Sequence, residues 1–217
     1  MFNKIDMEKY ERKVHYEYYK KIIKTKLNMS YNFDITSLIK TVNENNLRFY
    51  PVFIYIIMRA VNDVKEMRMA IDSEGNLGYY SFCSPSYTIF HNDDKTFSDI
   101  WTEYNEDFKT FYQEAVNDME KYKNIKGVKA KAGRPDNFTP LSCVPWVSFS
   151  SCSYNSFEES HMLFPVIVFG NYFSEGGKTY IPFSVYISHC VADGYHISLF
   201  INKIQEICQN FSDYAKI

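Results

Sequence analysis

The sequence lacks the short motifs that mark several large enzyme classes. It contains no Gly-x-x-x-x-Gly-Lys-Ser/Thr, no Gly-x-Gly-x-x-Gly and no His-Glu-x-x-His, so phosphate-loop, dinucleotide-binding and zincin functions have no support. It also lacks a Cys-x-x-Cys pair, and its five cysteines form an odd set. That pattern favours reduced thiols over a disulfide framework.

The sequence has little net charge and no long apolar run. Its formal charge is −2 and its pI is near 6.2, so it offers no field that would attract nucleic acid. The longest apolar run, Val52 to Met58, is far too short to span a bilayer, and the first residues are charged rather than apolar. We therefore expect a soluble, cytoplasmic protein without a nucleic-acid or membrane partner.

The chain does contain a large supply of core-forming residues. Of its 217 residues, 46% are hydrophobic and 18% are aromatic, which is ample for one large core. Helix-like and strand-like segments interleave without a regular βαβ repeat, and no linker-like segment divides them. The pattern predicts a single domain, residues 1–217, with an α/β (α+β) fold: a two-layer sandwich around a large mixed sheet.

The stretch from Ser184 to Phe200 carries the strongest candidate chemistry. Alternating β-branched residues predict a strand that breaks at Asp193-Gly194, and apolar residues at helical spacing follow from Tyr195 to Asn210. His189 therefore stands at the end of a strand. The carboxylate of Asp193 belongs to the turn that follows it, and such a turn can hold an imidazole in one orientation.

Other interpretations of this stretch remain open from the residues alone. A histidine at a strand end is often only a hydrogen-bonded core or surface residue. A metal site from His189, Asp193 and His196 is disfavoured, because a strand-to-helix transition separates them and no fourth ligand is evident. A nucleophilic pair with Cys190 is also disfavoured, because neighbouring strand residues point to opposite faces.

The N-terminal segment places a cation and two phenols together. Asp6 can cap a helix predicted from Met7 to about Lys24. Within it Arg12, Tyr16 and Tyr19 fall at i, i+4 and i+7 and so share one face. Taken alone, this pattern indicates an aromatic packing face with a surface arginine.

The run SHCVADGYH, Ser188 to His196, resembles the His-x-x-x-Asp-Gly signature of the trimeric chloramphenicol acetyltransferases. Further segments match in the family's order and extend the resemblance over nearly the whole chain: ERKVHYEYY, YPVFIYIIMRAVN, MRMAID, PSYTIFHNDDKTFSDIW and SCVPWVSF. The resemblance implies a CoA-dependent acyltransferase fold and a homotrimer with active sites between subunits. It also implies direct acetyl transfer from acetyl-CoA to a hydroxyl of chloramphenicol, with no metal.

The resemblance also implies roles for individual residues. His189 would be the general base, since an ordinary imidazole is mainly neutral at pH 7. Asp193, with Gly194 beside it, would pair with Arg12 and brace the turn under that ring. Ser142 matches the family serine whose hydroxyl hydrogen-bonds the oxyanion; by itself it is only a polar residue leading a strand predicted from Val144 to Ser151.

The remaining matches line two pockets. Four residues correspond to the acceptor pocket: Tyr19, Phe97, Cys152 and Tyr154. Three aromatic residues correspond to the coenzyme channel: Tyr50, Trp146 and Tyr172. In any other fold these aromatic side chains would be ordinary core residues.

The sequence departs from the family at several of these positions. Val168 replaces a threonine that holds a water near the oxyanion, and Asn171 replaces a lysine near the coenzyme phosphates. Lys129, Cys152 and Tyr154 stand where the family has larger apolar or smaller aliphatic groups around the antibiotic. Two alternatives to chloramphenicol acetylation therefore stay open: the same chemistry on another hydroxyl acceptor, and a non-catalytic trimeric binding protein.

Overall fold

The computed structural model describes residues 1–154 and 162–217. Its strands are β1 (Phe2–Lys4), β2 (Lys26–Asp34), β3 (Met69–Ile71), β4 (Leu77–Tyr80), β5 (Ser84–His91), β6 (Thr96–Trp101), β7 (Phe138–Val144), β8 (Val166–Gly170), β9 (Phe173–Glu175) and β10 (Lys178–Ser188). Its α-helices are α1 (Lys13–Glu17), α2 (Thr36–Glu44), α3 (Phe49–Asp63), α4 (Phe108–Tyr122), α5 (Gly194–Gln209) and α6 (Phe211–Ala215). A π-helix, Tyr18–Ile22, continues α1, and a 3₁₀-helix, Lys65–Arg68, follows α3.

A mixed sheet of seven strands organises the fold. Its order is β2-β10-β8-β7-β5-β6, with β9 paired to β10. Strand β7 runs parallel to β5 and β8, and the other neighbours pair antiparallel. A separate antiparallel sheet, β1-β4-β3, contains the hairpin formed by β3 and β4. The large mixed sheet of the predicted fold class is confirmed.

Helices cover one face of the large sheet. In α3 ten residues are buried, which suits its almost continuous apolar sequence, and α5 buries one face that includes Phe200 and Ile204. They pack with the alternate residues Phe183, Val185 and Ile187 of β10, which are at most 1% exposed. None of the helices in the described part of the chain is long and apolar enough to cross a membrane.

The opposite side of the sheet, here called the outer face, carries the intervening residues. The register aligns Ser142 of β7 with Val168 of β8, Val168 with Ser184 of β10, and Ser184 with Ser30 of β2. Because side chains alternate along each strand, these four form one row across the outer face. The predicted oxyanion residue therefore lies on the side away from the helices.

Two element predictions were wrong. The first helix does not begin at Met7, because Oδ1 of Asp6 accepts from the backbone N–H of Glu8 and closes a turn instead of capping a helix. Helical geometry starts only at α1. The strand predicted from Val144 to Ser151 lies earlier: pairing ends at Val144, and Pro145 has no N–H with which to extend the ladder. Ser142 is thus inside β7 rather than ahead of it.

Candidate active site

His189 is held at the end of β10 in one ring orientation. Its backbone nitrogen donates to the carbonyl of Thr25 at 3.1 Å, which fixes the chain. Its Nδ1 atom lies 3.0 Å from the carbonyl oxygen of Ala192. A carbonyl only accepts hydrogen bonds, so Nδ1 carries the proton, and in the neutral ring Nε2 is the atom left to accept one.

The predicted pair between Arg12 and Asp193 is present beneath this ring. Nη1 of Arg12 lies 2.7 Å from Oδ2 of Asp193, and both side chains are half-buried. Oδ1 accepts from the backbone N–H of Tyr195 at 3.0 Å and from Nδ1 of His196 at 2.8 Å, so Asp193 caps α5. Burial opposes ionisation, but the hydrogen bonds from Arg12 and His196 outweigh it and hold the pKa of Asp193 well below its usual range.

The N-terminal residues Arg12, Tyr16 and Tyr19 approach the same turn, although their helix is shorter than predicted. Arg12 binds Asp193, and the Tyr19 ring stacks on the His189 ring. Tyr16 packs on the core, where burial raises the pKa of its phenol to about 12. The interpretation as a packing face with a surface arginine is therefore wrong for Arg12, whose partner is 181 residues away.

Gly194 is the first residue of α5, next to the capping carboxylate. A Cβ atom added there would meet no atom within 4 Å, and its backbone is not left-handed. Neither close approach nor backbone strain within the described residues requires glycine at this position. Its supporting role stays a prediction.

Ser142 lies on the outer face with three of the four predicted acceptor residues. Burial raises the pKa of the Tyr154 phenol, and a hydrogen bond between Tyr154 and Ser142 partly offsets that rise. The carbonyl of Cys152 accepts from the hydroxyl of Ser184 at 2.5 Å, and Ser184 is two positions along the row from Ser142. Phe97, on the same face of β6, is 56% exposed.

Ser142 and His189 are far apart within one chain. Through Val168, Ser142 is in register with Ser184, and Ser188 lies four residues further along β10. Ser142 and Ser188 are thus separated by two strand spacings across the sheet and by four residues along the strand. Together these offsets place their backbones roughly 16 Å apart. One copy of the chain therefore does not bring the two predicted catalytic side chains together.

A cavity of about 500 Å³ opens between α3, α4 and the strands β5, β7 and β8. Most of its lining is apolar: Phe49, Tyr50, Ile89, Phe90, Met119, Cys143, Pro145, Phe169 and Tyr172, with Asn171 among the polar exceptions. The hydroxyl of Tyr50 donates to the carbonyl of Thr88 at 2.9 Å. Trp146 stands at the rim, its ring 4.5 Å from that of Phe90. Two of the three predicted coenzyme aromatics, Tyr50 and Tyr172, thus line one cavity, and Trp146 contacts Phe90 of its lining.

The loop that carries Trp146 is hydrogen-bonded to Asn171, directly after β8. The backbone N–H of Asn171 donates to the carbonyl of Val147 at 2.9 Å, and the hydroxyl of Ser148 donates to the carbonyl of Asn171 at 2.7 Å. Gly170 permits this close approach of the loop to β8, because a Cβ atom at position 170 would lie 2.7 Å from the Val147 carbonyl oxygen. The cavity rim is therefore built on a close backbone contact.

Charged residues that sequence reasoning missed stand at the cavity mouth. Glu120 and Lys123 line it and lie 3.0 Å apart, and Arg48 reaches the other carboxylate oxygen of Glu120 at 2.7 Å. Two cations and one anion leave this cluster with a net positive charge. No sequence motif links them, because α4 brings Glu120 and Lys123 to the start of α3 only in the fold.

A second polar cluster lies on the outer face below Phe97. Oδ2 of Asp99 accepts from Ser86 at 3.0 Å and from Arg134 at 3.1 Å, and the backbone of Lys129 bridges to Asp99. Burial raises the pKa of Asp99, although the Ser86 hydrogen bond and the charges of Arg134 and Lys129 lower it. Lys129 is itself exposed, with these residues, around a cavity of about 320 Å³.

The sequence left two other chemical interpretations of the His189 stretch open, a metal site and a nucleophilic pair with Cys190. Within residues 1–154 and 162–217, no group of three His, Cys, Asp or Glu side chains could hold a metal ion. Cys190 is buried, its sulfur lies 3.1 Å from the hydroxyl of Ser188, and burial raises the pKa of its thiol. A buried thiol with a raised pKa is a poor nucleophile.

Comparison with known proteins gives one consistent family. A family model described as chloramphenicol acetyltransferase matches residues 1–205. A chloramphenicol acetyltransferase of Clostridium butyricum is 41% identical over 99% of this chain and 98% of its own length, and one of Clostridium perfringens is 39% identical over 98% and 97%. A solved chloramphenicol acetyltransferase shares the fold with a TM-score of 0.84 at 22% identity, over 96% of this chain and all of that one. The dihydrolipoamide acetyltransferase of Azotobacter vinelandii is more distant, with a TM-score of 0.65 at 14% identity over 87% of this chain and 83% of that one.

Proposed function

The chain belongs to the chloramphenicol acetyltransferase family, and we propose that it transfers the acetyl group of acetyl-CoA to a hydroxyl of chloramphenicol, inactivating the antibiotic. The observation that carries the proposal is the fixed ring of His189, with Nδ1 bound to a backbone carbonyl and Nε2 left as an acceptor. We propose the cytoplasm as its location, which fits five free cysteines. A hydrophobic core cluster that extends from Phe33 to Ala215 supports a single acetyltransferase domain.

In the proposed reaction, Nε2 of His189 takes the proton from the acceptor hydroxyl. The oxygen attacks the thioester carbonyl carbon, and a tetrahedral oxyanion forms. When the C–S bond breaks, the imidazolium returns the proton to the leaving sulfur, so CoA departs as a free thiol and the acetyl ester remains. Asp193 and Arg12 take no proton in this scheme; they hold the turn that orients the ring.

Ser142 is the proposed donor to the oxyanion. Its hydroxyl is hydrogen-bonded to the phenol of Tyr154, so two hydroxyl groups lie together on the outer face. A single donor of this kind contributes roughly 100-fold to 1000-fold in rate. Its row neighbour Val168 is 1% exposed and offers no hydroxyl to hold a water beside it.

We propose a homotrimer whose active sites lie between copies. The support is the separation of Ser142 from the end of β10, where the backbones of Ser142 and Ser188 lie roughly 16 Å apart, a distance that a single acetyl group cannot span. A second copy that places its outer face against the first copy's His189 would join the two halves. The exposed aromatic residues Phe97, Tyr154 and Trp146 fit a face that is covered in the assembly.

Acetyl-CoA would enter through the cavity between α3 and β8. Its size of about 500 Å³ and its aromatic lining suit the narrow pantetheine arm, with Tyr50, Trp146 and Tyr172 around it. Arg48 and Lys123 at the mouth would attract the phosphates of the coenzyme. These two cations supply positive charge at the cavity, whereas the side chain of Asn171 is uncharged.

One observation favours a second candidate, the same chemistry on a different hydroxyl acceptor. The outer face that carries Ser142 also carries Asp99, whose side chain remains half-buried beside Arg134. Asp99 follows Phe97 by two residues and so points to the same side of β6. Charged groups beside Phe97 suit an acceptor with more hydrogen-bonding groups than a nitrophenyl ring.

The test is the release of free CoA thiol from acetyl-CoA, with chloramphenicol as acceptor and with His189→Ala as the comparison. Release by the native protein alone supports the proposal. If neither protein releases thiol with chloramphenicol, a panel of other hydroxyl acceptors decides: histidine-dependent release with one of them identifies the second candidate. Ligand binding without release in any case would indicate a non-catalytic binding protein.

A further inference from the structure

The peptide group between Ala192 and Asp193 lies between two histidine rings. Its carbonyl oxygen is 3.0 Å from Nδ1 of His189, and its nitrogen is 3.3 Å from Nδ1 of His196. The first ring belongs to the proposed base, whereas the proposed reaction uses the second for nothing. His196 therefore packs against the one peptide group that orients the base.

The Nδ1 atom of His196 is a donor. It lies 2.8 Å from Oδ1 of Asp193, and a carboxylate oxygen only accepts. One ring nitrogen cannot donate to this oxygen and accept from the Asp193 N–H at the same time, so the shorter contact decides. The His196 ring thus donates a hydrogen bond to the Asp193 carboxylate and packs against the Asp193 backbone nitrogen.

His196 has little freedom to move away from this position. Its side chain is 11% exposed, and Nε2 lies 3.9 Å from Oε1 of Glu66, on the 3₁₀-helix after α3. The carboxylate of Asp193 is held by Arg12 on one oxygen and by His196 and the Tyr195 N–H on the other. Of these donors, His196 alone contacts both the side chain and the backbone of Asp193.

We infer that His196 is a positioning residue for the reaction: it fixes the Ala192-Asp193 peptide, whose carbonyl holds Nδ1 of His189 and so keeps Nε2 free to accept a proton. The inference rests on the proposed function, because it treats His189 as the base. Without His196, Asp193 keeps Arg12 and its cap bond, but it loses one hydrogen bond to Oδ1 and the ring packed against its backbone nitrogen, so its peptide group is held less firmly. His189 then loses a fixed acceptor, and rings protonated on Nε2 become populated.

Three variants separate positioning from simple stability. His196→Leu removes the donor, and His196→Asn keeps an N–H close to the place of Nδ1. His91→Leu is the matched control, because His91 is also buried and hydrogen-bonded, to Ser98 at 2.7 Å, but lies on β5 outside the proposed machinery. We expect His196→Leu to lower kcat roughly 10-fold to 100-fold with little change in either KM, and His196→Asn to restore most of it. His91→Leu should lower the thermal midpoint and leave kcat unchanged.

A second readout does not depend on turnover. In protein labelled with ¹⁵N-histidine, the ring nitrogen shifts report which atom of His189 carries the proton. We expect the Nδ1–H form in the native protein and a mixture in His196→Leu. An unchanged His189 tautomer in His196→Leu overturns the inference, as does an unchanged kcat, whether or not chloramphenicol is the acceptor. A native protein with the Nδ1–H form but no thiol release would instead count against the proposed function alone.

Discussion

The ring of Tyr19 stacks on the ring of His189, with centroids 3.8 Å apart and planes inclined by 23°. Tyr19 lies in the π-helix that continues α1, and His189 lies at the end of β10, so two distant segments form this contact. The stack restricts rotation of the imidazole about its Cβ–Cγ bond. Together with the Ala192 carbonyl, it leaves Nε2 as the ring atom available for proton transfer.

Replacing Tyr19 with Leu should lower kcat by about 2-fold to 10-fold, the equivalent of a lost aromatic pair of about 0.5 to 1.5 kcal/mol. Tyr19→Phe keeps the ring and should stay near the native kcat, because the stack does not use the hydroxyl. Steady-state thiol release measures both. Equal losses in the two variants would show instead that the phenol hydroxyl, acting on the acceptor, is what matters.

The ion pair between Arg12 and Asp193 should make stability depend on pH. The pKa of Asp193 is depressed in the folded protein, so its contribution is present above the ordinary value of about 3.9 and is lost as pH falls toward the folded pKa. Asp193→Asn retains a capping side chain and should lower the free energy of unfolding by about 1 to 2 kcal/mol near pH 7. The difference from the native protein should shrink below about pH 4.

Urea unfolding of the native protein, Asp193→Asn, Arg12→Gln and the double variant measures this contribution. If Arg12 and Asp193 act as a pair, the double variant loses less than the sum of the two single variants. A difference between native and Asp193→Asn that is the same at neutral and acid pH would assign the effect to the cap rather than to the charge.

The large elements of the fold could be predicted because their patterns are strong. The apolar spacing from Tyr195 to Asn210 gave α5 to within one residue at each end, and the alternation after Ser184 gave the last part of β10. The first helix failed because Asp6 can satisfy either a helix start or a local turn, and only the tertiary contacts of Arg12 and Tyr19 decide where helical geometry begins. Pro145 could have indicated the end of β7, because proline has no N–H to extend the ladder. The apolar residues around Pro145 obscured this indication.

The candidate site could be proposed from the sequence where side chains supply the chemistry. The motif and the resemblance pointed to His189, Asp193, Arg12 and Ser142, whose catalytic roles stay predictions. The carbonyls of Ala192 and Thr25, which hold the base, are backbone atoms that no residue pattern marks. The cluster of Asp99 and Arg134 was missed because its members come from β6 and a distant loop and meet only when the sheet forms.

Restoring a lysine at position 171 should strengthen acetyl-CoA binding. Asn171 lines the mouth region of the cavity, where the nearby cations Arg48 and Lys123 are already partly neutralised by Glu120. Asn171→Lys should lower the KM for acetyl-CoA about 2-fold to 5-fold at low salt, with kcat unchanged, and the gain should fade as ionic strength rises. Asn171→Gln adds length without charge and should leave KM unchanged. A gain that survives high salt would point to packing rather than to phosphate attraction.

Mixed oligomers test whether active sites lie between copies. His189→Ala removes the base and keeps Ser142, whereas Ser142→Ala removes the oxyanion donor and keeps His189; each variant alone should be strongly impaired. If one copy supplies His189 and its neighbour supplies Ser142, equal mixing of the unfolded variants followed by refolding gives native pairs at about one quarter of the sites. Thiol release should then return to about one quarter of the native rate, well above either parent refolded alone. Activity that stays at the parental level after mixing would mean that both residues act within one copy, and that the roughly 16 Å between the backbones of Ser142 and Ser188 must close by a rearrangement of the chain.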